Sequence, residues 1–171
     1  MLIELHVETK HNLPKELEIV SILQDLQLKY QNLPIFTTKI VIESGSLNHS
    51  HPVLTLNIKE TKPLSLMKLL IHEQFHWYSS SHQLHQVAIT NLKTSYKDLG
   101  DCNIDGKHPD SFWEHLIVCW NTRNALNKIL TPEEVSKLYA QPQGYPLSEK
   151  FVADNFDKIK ADLAKFDLIY E

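Results

Sequence analysis

The residues best equipped for chemistry lie together in the stretch Leu70-Ile71-His72-Glu73-Gln74-Phe75-His76-Trp77. On a helix His72 and His76, four apart, stack on one face, where two imidazoles can share a divalent metal ion. Glu73 follows the first His, so it sits beside the metal, in reach of the proton of a water that the metal polarises. With ten His and twelve Glu among 171 residues, a shuffled chain would show this HExxH spacing about 4 times in 100. The blander reading is an amphipathic helix with two half-buried His and a solvated Glu. The metal reading leads because the run from Leu64 to Tyr78 is apolar over much of its circumference, and buried His need partners.

A catalytic zinc site uses three protein ligands and an open position, so a third ligand is needed. Three candidates are open, in the order His115, His82, Glu114. In Ser111-Phe112-Trp113-Glu114-His115-Leu116-Ile117-Val118-Cys119-Trp120, His115 borders the apolar face of a helix, roughly 80 to 90° from its centre at 100° per residue, while Glu114 lies nearly opposite. His82 stands ten residues after His72, the spacing of the extended metzincin motif. That motif places a glycine where this chain has Ser79 and a methionine turn downstream, and no Met follows Met67. A Glu114 ligand would resemble the gluzincin arrangement instead.

These candidates need elements to hold them. Alternation over Leu2–Thr9 gives a half-buried strand with His6 on its polar side. The Asn12-Leu13-Pro14 start opens a helix over Lys15–Tyr30. The β-branched runs Thr37–Glu43 and Pro52–Lys59 predict an antiparallel pair joined by a long loop, in which His49 and His51 flank Ser50 without making a good metal site. Pro63 opens the HExxH helix, and Ser79-Ser80-Ser81 breaks it before a helix over His82–Tyr96. Lys97–Pro109 reads as a surface loop, after which Asp110 or Ser111 caps a helix to Leu130. Thr131-Pro132-Glu133-Glu134 starts a short helix to Ala140, a loop over Gln141–Pro146 follows, and Ser148–Phe166 forms one closing amphipathic helix.

The chain of 171 residues, 42% hydrophobic and 22% charged, is expected to form one domain over 1–171 with a core of its own. A formal net charge of -4 and the lack of a Lys/Arg cluster argue against nucleic acid or an acidic membrane as partner. No run approaches 18 apolar residues, and Glu4 and His6 interrupt the N-terminal segment, so a cytoplasmic protein is expected. Cys102 and Cys119 lack paired CxxC spacing, and Cys119 reads as a reduced packing residue.

At His72-Glu73-Gln74-Phe75-His76-Trp77 the chain resembles the zincin metallopeptidases, and its order of strand, helix, strand, strand and HExxH helix is similar to a minimal zincin core. The later HLIVCW helix is similar to that of small bacterial zincin-like proteins. The likeness covers about residues 35 to 130 and says nothing of substrate identity. It implies an α+β fold, with a small, mostly antiparallel sheet packed with the HExxH helix and a mainly helical C-terminal half. It further implies a zinc peptidase with His72 and His76 as ligands and Glu73 as general base and later proton donor. The strand Pro52–Lys59 would be the edge that pairs with an extended peptide. The oxyanion donor is open: His82 or His85 could serve, while Tyr145 reads as a packing residue. The alternative from a different class is a zincin-like binding or structural zinc module without turnover.

Overall fold

In the computed structural model, which describes residues 4–96, 109–140 and 144–171, strands β1 (His6–Thr9) and β2 (Lys39–Ile42) run parallel because helix α1 (Pro14–Lys29) fills the crossover between them. Strand β3 (Leu54–Leu56) adds to the other side of β2, giving the order β1-β2-β3. Ile40, Ile42, Leu54 and Leu56 are fully buried on one face of β2 and β3, whereas Lys39 is exposed and Val41 half-buried on the other face of β2. The chain resolves into two compact units, 1–78 and 79–171. Helix α2 (Pro63–Ser81) runs through the boundary.

The α+β class holds, but the sheet is parallel and not antiparallel. The expectation failed at the second connection. Residues 43–53 are long enough to travel back along the sheet without a helix, and the antiparallel partner of β3 is this returning segment, through His49 and Thr55, in place of β2.

Glu16 organises the start of α1. Its carboxylate accepts N–H groups from His11 (2.9 Å), Leu13 (3.2 Å) and Ser44 (2.9 Å). The Leu13 bond is one half of a capping box, made by the third helical residue back to the cap. Burial pushes this carboxyl up, but the three backbone donors and the nearby His11 outweigh it, so its pKa lies below the ordinary value. Asn12 reaches the left-handed conformation (φ 56°) just before the helix, a region that Asn tolerates better than most residues.

In the second unit the described residues form α3 (His85–Ser95), α4 (Pro109–Ile129), α5 (Pro132–Tyr139), α6 (Pro146–Asp154) and α7 (Phe156–Ala164). Helix α4 is its axis, with Leu116, Ile117, Val118 and Trp120 at or near zero exposure and Cys119 buried beside them. It packs against α3, α6 and α7. Asn121, fully buried in α4, donates to the carbonyls of Ile117 and Leu168 and accepts from Tyr170 N–H, tying down the C-terminal segment. Thr131 caps α5 in a full capping box with Glu134, as its sequence predicts.

The expected single helix over Ser148–Phe166 is two helices. Asn155 leaves helical geometry (φ -126°, ψ 26°) and donates its side-chain amide to the Phe151 carbonyl, a local bond that competes with helix continuation. Ser79-Ser80-Ser81 does not break α2, which continues through Ser81. Helix α4 already includes Pro109, so Asp110 and Ser111 lie inside it and do not cap it. The expectations for Met1–Ile3, for the loop from Lys97 with Cys102 up to residue 108, and for Gln141–Gln143 lie outside the described residues. Among the described residues no helix is long and apolar enough to cross a membrane.

Candidate metal centre

The sequence around the motif gives each residue of α2 a separate task. Met67, Leu70, Ile71 and Phe75 are fully buried and hold the helix by its apolar face. Gln74, inside the motif and also fully buried, accepts N–H groups from Phe36 (2.8 Å) and Thr37 (2.9 Å) and donates to the Thr37 carbonyl (2.8 Å). Phe36 packs its ring on Phe75 and Tyr78 at 5.5 and 5.0 Å. Trp77 donates its indole N–H to the Ser50 carbonyl (2.8 Å), and its ring stacks on His51 at 4.3 Å. Gln74, between the two His, and Trp77, after His76, thus tie this part of the helix to residues 36–37 and 50–51.

On this clamped helix His72 and His76 stand with ring centroids 5.1 Å apart, inclined by 74°. His72 is buried and His76 half-buried. Glu73 is 6% exposed, and its desolvation pushes the carboxyl up to about 7, against an opposing pull from His76. An ordinary surface Glu would titrate near 4.5. This is the proton affinity of an acid-base group that works near neutrality.

His115, on α4 in the second unit, is oriented by its own helix. Its Nδ1 lies 2.5 Å from the Ser111 carbonyl and 3.2 Å from the Ser111 hydroxyl, four residues earlier. A carbonyl can only accept, so Nδ1 carries the hydrogen and Nε2 carries the lone pair, the tautomer that a metal ligand needs. The Tyr145 ring stacks on the imidazole at 3.5 Å and fixes its plane. Comparison with protein-family models, with curated proteins and with solved structures returned no match. The resemblance to zincins therefore rests on the motif residues of the sequence alone.

The other candidates stand differently. Ser79 is an ordinary helical residue of α2 and fully buried, so the chain does not turn where the metzincin motif turns. His82 follows the helix, half-buried, with its Nδ1 accepting the Leu84 N–H at 3.3 Å. Glu114 is half-buried on α4. His85 is buried at the start of α3, and His6 is exposed on β1.

Strand β3 ends the sheet, as an edge strand should, but its outward backbone groups are taken by the chain itself. Thr55 exchanges both backbone hydrogen bonds with His49, at 2.8 and 3.0 Å, and Asn57 N–H donates to the Asn48 side chain at 2.8 Å. The expectation that this edge lies open to an extended peptide is not met. Sequence reading also missed Gln74 and Ser111. Ser111 carried a usable signal, being four residues before His115 on one helix. Gln74 carried none, because its partners are 37 and 38 residues away.

Proposed function

We propose that the protein is a zinc-dependent hydrolase acting on a peptide or protein substrate, with His72, His76 and His115 as metal ligands and Glu73 as general base. Glu73 carries the reading. A carboxyl desolvated on the same helix as two imidazoles, with its pKa raised to about 7, costs stability that a structural role would not call for. His115 enters as the first choice of third ligand in the sequence, held by Ser111 in the tautomer that a ligand needs. Three imidazoles fit zinc, which binds nitrogen at about 2.0–2.1 Å and keeps a fourth position for reactants in catalytic sites.

Zinc, when bound, supplies the Lewis acid that polarises a carbonyl and acidifies water. The chain's own residues do the rest. Glu73 accepts the proton of the attacking water and delivers it to the leaving nitrogen. A dication nearby favours the ionised carboxyl, so in the loaded protein Glu73 is held below about 7 and ready to accept. Ser111 keeps His115 in the ligand tautomer, and Tyr145 holds its ring plane.

The test is Glu73→Gln with zinc present. The variant is expected to keep its zinc while hydrolysis of a peptide library falls by at least about 100-fold. If neither this replacement nor metal removal changes hydrolysis, the reading is defeated. A second reading, a zinc module without turnover, is favoured by one observation, the occupied edge of β3.

A further inference from the structure

The segment between β2 and β3 behaves in geometry like a bound peptide. It leaves β2, turns at Gly45 (φ 84°) and runs back antiparallel to β3. In a parallel sheet the N–H and C=O of one residue point to the same side. Those of Thr55 face away from β2 and are the pair that an added strand would use. His49 fills both, and Asn48 fills Asn57 N–H.

The attachment is polar, with Ser46, Asn48 and Ser50 half-buried. Leu47, the one large apolar side chain near the turn, is 76% exposed, and His49 and His51 are exposed as well. Beyond the β3 bonds the segment is held at its start by Ser44 N–H on the buried Glu16 carboxylate and near its end by Ser50 and His51 on Trp77. Trp77 is the residue next to His76, so the segment is fixed to the helix of the proposed metal site. A segment held by backbone bonds and a ring stack, with little apolar burial, opens at lower cost than the core strands it covers.

We propose that residues 46–52 are a displaceable strap that occupies the docking edge of an extended peptide and holds the protein closed until such a peptide takes its place on Thr55 and Asn57. The incoming chain would run antiparallel to β3, as the strap does, and repeat the two Thr55 bonds that His49 now makes. A two-state edge of this kind lowers apparent affinity by the fraction of time the strap is lifted, and weakening the strap recovers it. The effect on turnover rests on the hydrolase reading, whereas edge exchange does not.

The experiment uses the full chain, stripped of metal, and a blocked synthetic peptide with the sequence of residues 46–52, SLNHSHP. Amide exchange at Thr55 and Asn57 is followed by NMR in the wild type and in the double variant Asn48→Ala, His49→Pro, where proline removes the donor to Thr55. We expect exchange at both amides to accelerate at least about 10-fold in the variant. The peptide should bind the variant at least about 10-fold more tightly than the wild type and restore protection. Trp77→Phe, which loses the donor to Ser50 and shrinks the ring stacked on His51, should shift both readings in the same direction and stands in if the double variant does not fold. Unchanged protection, or equal peptide affinity for wild type and variant, overturns the strap. Peptide binding to the variant without hydrolysis after zinc is restored upholds the strap and defeats the hydrolase reading.

Discussion

Two buried carboxylates show how far residue-level chemistry depends on what surrounds it. Glu73 is pushed up by desolvation, whereas Glu16, equally removed from water, is pulled below its ordinary value by backbone donors from His11, Leu13 and Ser44. The role proposed for Glu73 follows from its place after His72, because spacing on one helix is local information. The role of Glu16 is only half legible: the start signal at Leu13-Pro14 is in the sequence, but the bond to Ser44 spans 28 residues. A lowered folded-state pKa gives stability that is present above the unfolded value, near 4.5, and lost as pH falls through the folded value. Glu16→Gln is therefore expected to lower the urea midpoint at pH 7 and to flatten its decline between pH 7 and acid. A variant as acid-sensitive as the wild type would contradict this account of Glu16.

Elements held by local signals were readable, and those held by distant partners were not. The cap of α5 at Thr131, the start of α1 and the apolar run of α2 follow from neighbours within four residues. The direction of β2 against β3 depends on how residues 43–53 return, and nothing in the composition of a loop states that. The break at Asn155 was hidden because Phe151, Val152, Phe156 and Ile159 keep a helical period on either side of it. The α2 clamp makes a prediction at this scale. Gln74→Ala removes the acceptor for two backbone N–H groups and the donor to Thr37, and it should cost about 2–4 kcal/mol by denaturant titration, since each buried group left unsatisfied costs about 1–3 kcal/mol. It should also weaken zinc binding. A loss of stability below about 1 kcal/mol would show that Gln74 is not the clamp described.

At the scale of the whole molecule, the chain has two units with their own cores, one built on a parallel sheet and one on α4. A metal ligated by residues of the native chain alone stabilises it by mass action. Zinc at about 100 times its dissociation constant is worth about 2.7 kcal/mol, which in a chain of this size raises Tm by roughly 5–10 °C. The rise should disappear in His76→Ala. The central claim is that His72, His76 and His115 hold one metal ion, and the measurement closest to it is the zinc content of the purified chain by elemental analysis. The account predicts one zinc per wild-type chain, kept by Glu73→Gln and lost from His72→Ala, His76→Ala and His115→Ala. A wild-type chain that binds no zinc in stoichiometric amount, or one that keeps its zinc when both His72 and His76 are replaced, would contradict it.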